Sequence, residues 1–186
     1  TLERIRKLVL PPAWTEVWIC GDPRGHLQAT GRDVRGRKQY SYHQEFRALR
    51  EEQKFCSLLS FAEVLPRLRA RVHEDLHRAH QDALPKEKVL AAIVRLLDET
   101  HVRIGNEAYA RHNRSFGLTT LRRRHLELHG PSIRLHFRGK AGKNFDVRLT
   151  DRQVAKVLRG CAEIPGQELF RCGDEQTPHS VCSHDV

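Results

Sequence analysis

Methionine is missing from all 186 residues, the first position included. No apolar stretch is long enough to cross a bilayer, and the basic, amphipathic start has no signal-peptide pattern. That excludes a helical membrane protein. The five cysteines are odd in number and none stands in a Cys-x-x-Cys pair, which excludes a disulfide scaffold and fits reduced thiols in a cytoplasmic protein. There is no Gly-x-Gly-x-x-Gly dinucleotide motif and no nucleophile elbow. His73, His77 and His80 share one helix face, but no Cys or carboxylate cluster completes a ligand set, so no metal site is expected. Tyrosine occurs only at positions 40, 42 and 109.

Charge is abundant instead. The net charge is +10, and it is unevenly placed. Residues 1–50 hold 10 Lys/Arg against 5 Asp/Glu and residues 101–150 hold 11 against 3, whereas 51–100 (8 against 9) and 151–186 (4 against 6) are slightly acidic. Two basic blocks parted by an acidic spacer suit two surfaces facing one polyanion, and nucleic acid is the expected partner. Hydrophobic residues make up 39%, enough to build a core, so the chain is globular.

The pattern along the chain predicts an α+β protein. "AWTEVWIC", "GHLQAT" and "RKQYSYH" read as three short strands, with Asp22-Pro23 and Gly25 in the first reversal and Tyr40 and Tyr42 on one face. From Gln44 the period becomes helical through Phe46, Leu49, Phe55, Leu58, Leu59 and Phe61. This gives a small N-terminal β-rich domain closed by helices, over 1–80. Residues 72–84 are polar and end at Pro85, as an inter-domain connection would. A second domain over 84–186 follows, mainly helical with a three-stranded antiparallel sheet. Pro85 opens a helix whose buried stripe is Val89, Leu90, Ile93, Leu96, Leu97 and Thr100. Another helix ends near Asn113. "HLELH", "SIRLHFR" and "NFDVRLT" alternate as strands, and Asp151 caps a last helix bearing Val154, Val157 and Leu158.

Between the last two strands lies "FRGKAGK", a glycine turn carrying Lys140 and Lys143. It is not a phosphate-binding P-loop, because Ala141 and Asn144, not Ser or Thr, follow the lysines. Two readings stay open: a solvated flexible loop, or a lysine held against a phosphate as point charge or proton donor. Tyr40 and Tyr42, with Arg35, Arg37 and Lys38 beside them, match the basic-plus-aromatic composition of nucleic-acid grooves and also suit edge-strand packing.

"TGRDVRGRKQYSYH", "HVRIGNEAYARHNRSFGLTTLRRRHLEL" and "FRGKAGK", in that order, resemble the type IB DNA topoisomerases of the poxvirus-like branch found in bacteria. "RIRKLVLPPAWTEVWIC" and "GQELF" extend the likeness over almost the whole chain. The resemblance implies relaxation of supercoiled duplex DNA by transient cleavage of one strand through a 3′-phosphotyrosyl intermediate. It implies no ATP, metal or small-molecule cofactor, and a monomer acting on nucleoid DNA in the cytoplasm. By position, Arg103 matches the family's first catalytic arginine and Lys140 its general-acid lysine. Gln39, Tyr40 and Tyr42 match groove contacts of the N-terminal domain, and Lys143 a phosphate contact. Tyr109 matches a position near the DNA backbone and equally fits plain helix packing.

The resemblance also implies a second arginine, a histidine or asparagine, and the nucleophilic tyrosine, all after the hairpin. No tyrosine follows Lys140, so both ends are read as cut and the 186 residues as inactive by themselves. A tyrosine-recombinase-like strand transferase and a non-catalytic duplex-binding module are the alternatives.

Overall fold

The structure, a computed structural model, describes residues 2–80, 83–174 and 176–186. The chain is α+β and divides into two compact units, Thr1–Val64 and Leu65–Val186.

In the first unit a short helix, α1 (Leu2–Lys7), precedes three strands, β1 (Thr15–Ile19), β2 (Leu27–Arg32) and β3 (Lys38–Tyr42), paired antiparallel in that order. Arg4 ties α1 to the sheet by donating to Gln28 Oε1 at 2.7 Å and to the Cys20 carbonyl. The turn between β2 and β3 is built on Asp33, whose Oδ1 accepts the backbone N–H groups of Arg35 and Arg37. Gly36 supplies the left-handed residue (φ 70°) such a turn needs. A long helix, α2 (Gln44–His77), starts in this unit. Phe46 packs near His26 and Tyr42, but Leu49, Phe55, Leu58, Leu59 and Phe61 stay exposed. The expected closure of the small domain by these residues is therefore not what their side chains do among the described residues.

The expected polar connection over 72–84 also needs correction. α2 continues to His77, with Val72 and Leu76 buried. These two are one helical turn apart and prolong the row of Leu65 and Leu68; between them His73 and Glu74 are exposed, whereas Asp75 is buried beside Leu76. Arg71 bonds Asp75 at 2.7 Å along the helix. Past the helix end, the buried Lys88 ammonium donates to the Arg78 carbonyl at 2.7 Å, a cation at a helix C-terminus. Residues 81 and 82 of that stretch lie outside the described residues.

The second unit holds the core. α3 (Lys86–Thr100) follows Pro85 and buries Val89, Ile93 and Leu96 as its period predicts. After α4 (Glu107–Asn113), the strands β4 (Leu126–His129), β5 (Ser132–Arg138) and β6 (Asn144–Thr150) form an antiparallel sheet in chain order. Ile133, Leu135 and Phe137 of its central strand are buried, and their alternation is what the sequence pattern requires. α5 (Arg152–Glu163) packs Val154, Val157 and Leu158 into the same core. Asp151 caps it, its Oδ1 accepting the N–H groups of Gln153 and Val154. A two-stranded ribbon, β7 (Arg171–Cys172) with β8 (His179–Ser180), had no counterpart in the sequence pattern.

His125 sits in this core between the rings of Phe116 and Phe137. Its Nδ1 accepts the Arg122 backbone N–H at 3.0 Å. Burial, helped by Arg124 and Arg122, pushes its pKa from 6.5 down to about 4. Below pH 6.5 the unfolded chain therefore binds a proton that the native state refuses. This contribution to stability is complete above pH 6.5 and is lost as the pH falls towards 4. In His125→Asn, which keeps an acceptor for Arg122, the fall in melting temperature between pH 6.5 and 4 should become shallower. An unchanged slope would show that other groups carry it.

Candidate active site and nucleic-acid surface

Arg103 lies in the connection between α3 and α4, just after His101 ends α3 in the left-handed conformation. Val102 anchors this connection in the core. The Arg103 carbonyl accepts the Leu118 N–H at 2.9 Å, and the Ile104 carbonyl accepts both the Thr119 N–H and its hydroxyl. Gly105 (φ 103°) brings its bare backbone against Gly117, where an added Cβ would come within 2.6 Å of Gly105 and 2.5 Å of the Arg103 carbonyl. The backbone of Arg103 is thus strapped at several points while its guanidinium stays exposed.

The connection that follows α4, which holds Gly117, reaches the β5–β6 hairpin. Phe116 N–H donates to the Arg138 carbonyl at 2.8 Å, two residues before Lys140. The hairpin ladder runs to Arg138↔Asn144, and its tip is closed by Gly139 N–H on the Lys143 carbonyl (2.7 Å) and Gly142 N–H on the Gly139 carbonyl. Ala141 (φ 61°) and Gly142 (φ 76°) make the left-handed steps. Under the tip, Phe137 and Phe145 stack 5.3 Å apart, and Gly139 lies so close to Phe145 that a Cβ would approach its ring to 2.5 Å.

These connections bring three predicted residues to one cavity of about 300 Å³, lined by Arg103, Tyr109 and Lys140 together with Asn106, Phe116 and Gly117. Asn106 caps α4 by accepting the Tyr109 N–H at 3.0 Å, which fixes Tyr109 on the first turn with its side chain partly exposed (37%). Lys143 is exposed at the far side of the tip and does not line the cavity. The sequence pattern had not singled out Asn106, Phe116 or Gly117; the glycines of "RIGNE" and "SFGLTT" were the available signal.

In the first unit the register places Trp18, Thr30 and Tyr40 in one cross-strand row, flanked by Arg32↔Lys38 and Leu27↔Tyr42. Trp18, Tyr40 and Tyr42 are 51, 51 and 44% exposed. The Tyr40 and Tyr42 rings stack 6.2 Å apart and Lys38 Nζ lies 5.7 Å from the Tyr40 centroid. Trp18 and Arg32 were not anticipated, because β1 is bulged between Thr15 and Trp18 and simple alternation loses the row. Arg37 and Gln39 instead engage Asp33, at 2.6 and 3.1 Å. Arg37's guanidinium holds the Asp33 carboxyl down at about 2. Gln39 alternates with Tyr40 and so points to the opposite sheet face, and Arg35 stands exposed at the turn.

Among the described residues no group of three or more His, Cys, Asp or Glu side chains is placed to hold a metal ion, and no helix is long and apolar enough to cross a membrane.

Residues 43–184 match the family model of the eukaryotic DNA topoisomerase I catalytic core, and residues 1–33 match that of the bacterial DNA topoisomerase IB N-terminal domain. The chain is also similar to DNA topoisomerase 1B of Acanthamoeba polyphaga mimivirus, 32% identical over 170 residues, which are 91% of this chain and 50% of the viral protein. It spans about half the length of that relative. With a catalytic-core match over most of its length, adjoining an N-terminal-domain match, the chain belongs to the type IB DNA topoisomerase family.

Proposed function

We propose that this chain supplies the N-terminal DNA-clamping domain and the first half of the catalytic domain of an enzyme that relaxes supercoiled duplex DNA. In this reading it cuts one strand through a 3′-phosphotyrosyl intermediate and rejoins it, as a monomer on nucleoid DNA. The observation that carries the reading is the shared cavity of Arg103, Tyr109 and Lys140. Attack on a phosphodiester builds charge on the non-bridging oxygens, which a backbone-strapped guanidinium stabilises. The 5′-oxygen leaves poorly unless protonated, and an ammonium on a narrow hairpin tip can deliver that proton. Tyr109 takes the role of a phosphate contact beside Arg103, and Lys143 that of a second one outside the cavity. The phosphotyrosine conserves the energy of the broken bond, so the cycle needs no ATP or metal. The nucleophile is assigned to a tyrosine other than Tyr40, Tyr42 or Tyr109. Accordingly the 186-residue chain should trap no covalent DNA adduct under denaturing conditions, and an adduct mapped to Tyr109 would refute the assignment.

On the first unit, Lys38, Tyr40 and Tyr42 are proposed to face the duplex, joined by Trp18 and Arg32 from the same sheet face, with Arg35 at its edge. Arg37 and Gln39 act there through Asp33, holding the turn that presents the row. Tyr40→Phe, which removes one hydrogen bond to a charged phosphate, should weaken duplex binding roughly tenfold. Trp18→Ala should weaken it too without lowering the melting temperature. A large thermal loss from Trp18→Ala would place the indole in the fold rather than on DNA. Plasmid relaxation by the enzyme completed with its nucleophilic tyrosine tests the reading as a whole.

A further inference from the structure

A second cavity in the second unit, about 850 Å³, is lined by five arginines: Arg111, Arg114, Arg122, Arg124 and Arg138. Two acids also line it, Glu107 and Glu168, and both are already taken. Glu107 pairs with Arg111 at 3.1 Å and Glu168 with Arg171 at 2.9 Å. Among the described residues, Arg114, Arg122, Arg124 and Arg138 have no carboxylate within ion-pair distance. What positions them is neutral. Arg122 lies 5.9 Å from the Phe116 ring centroid and reaches Gln167 Oε1 at 3.4 Å, and Arg124 Nε approaches His125 Nε2 at 3.4 Å. The frame behind them is firm, because Arg122 and Glu168 form a β-bridge. Arg134, on the same sheet, shows the alternative: it is clamped between Glu127 and Asp146, and its positive charge is fully compensated.

Four uncompensated guanidinium groups around one concavity repel each other and attract a polyanion. Their planar forks fit phosphate oxygens, two donors at a time. The cavity also adjoins the site already described, since Phe116 lines both and Arg138 stands next to Gly139 and Lys140. We infer that it is a phosphate track: it holds the phosphodiesters of the nucleic-acid strand that continues from the one at Arg103 and Lys140. This rests on the proposed function. The same chemistry would also accept a free polyphosphate, so the test carries an arm for each source.

The experiment measures affinity of the 186-residue chain for a short duplex over a range of salt concentrations. Variants are Arg114→Gln alone, Arg114→Gln/Arg122→Gln/Arg124→Gln together, and Arg152→Gln, an exposed arginine on α5 away from the cavity, as control. Each lost phosphate contact should reduce the slope of log K against log salt by about 0.9. The triple variant should therefore lose about 2 to 3 in slope and Arg114→Gln about 1, with the control unchanged. Unchanged slopes in variants that keep the wild-type melting temperature overturn the proposal, and the single variant decides if the triple variant does not fold. Inorganic tripolyphosphate is the second probe. Competition with duplex that disappears in the triple variant supports the track. Tripolyphosphate binding that needs these arginines while the duplex slopes stay unchanged overturns it in favour of a free-polyphosphate site. If Arg103→Ala and Lys140→Ala lower the slope but the track variants do not, the proposed function stands and only the track fails; absence of any duplex binding by the wild type removes both.

Discussion

Lys140→Ala, in the enzyme completed with its nucleophilic tyrosine, is expected to slow strand cleavage ~10²–10⁴-fold, the range typical of general acid catalysis. Duplex affinity should fall far less, because a proton donor acts in the transition state and not in the bound ground state. Lys140 lies on a tip held by backbone hydrogen bonds of Gly139 and Gly142, so its removal leaves the hairpin's own frame in place. Lys143→Ala, outside the cavity, should cost affinity and little cleavage. A substrate with sulfur in place of the 5′-bridging oxygen separates the roles, since a thiolate leaves without protonation. It should restore cleavage by Lys140→Ala and not by Arg103→Ala, whose guanidinium answers charge on the non-bridging oxygens. Equal rescue of both variants, or of neither, would mean that the proton comes from elsewhere.

Gly117→Ala should be strongly destabilising. Its Cβ would meet the Arg103 carbonyl at 2.5 Å and the Gly105 backbone at 2.6 Å, and backbone cannot swing aside as a side chain can. Overpacking of this kind costs about 3 kcal/mol. The strain falls on the bond from Leu118 N–H to Arg103, so cleavage should drop even at temperatures where the variant is folded. Denaturant unfolding measures the first effect and single-turnover cleavage the second. A midpoint within error of wild type would show that the two loops separate without cost.

The strands of the second sheet were legible because burial there obeys the period of two: Ile133, Leu135 and Phe137 are inside and their neighbours outside. α3 was legible by the same logic at the helical period, as was its start after Pro85. The end of α2 was not, because Val72 and Leu76 are only two apolar residues in a polar stretch, and what buries them is tertiary. The ribbon of β7 and β8 is two residues per strand, too short to show any period. Arg103 and Lys140 could be named through the family motifs, but their meeting could not be read from side-chain patterns. It is made by backbone bonds from Leu118 to Arg103 and from Phe116 to Arg138, which leave no mark in composition. The arginine-lined cavity left in the sequence only the charge run "LRRRH"; of its neutral supports Phe116 stands just before that run, but Gln167 lies 45 residues beyond Arg122.

The hairpin tip has a consequence in time. The ladder of β5 and β6 is complete from Ser132↔Thr150 to Arg138↔Asn144, whereas residues 139–143 are joined to each other by only two backbone bonds. Lys140 can therefore shift without unzipping a strand, on the nanosecond-to-microsecond scale of loop motion, ahead of the microsecond-to-millisecond motions of whole domains. In the proposed reaction, a proton carried on such a tip is ready before any slower movement of a whole domain has run its course.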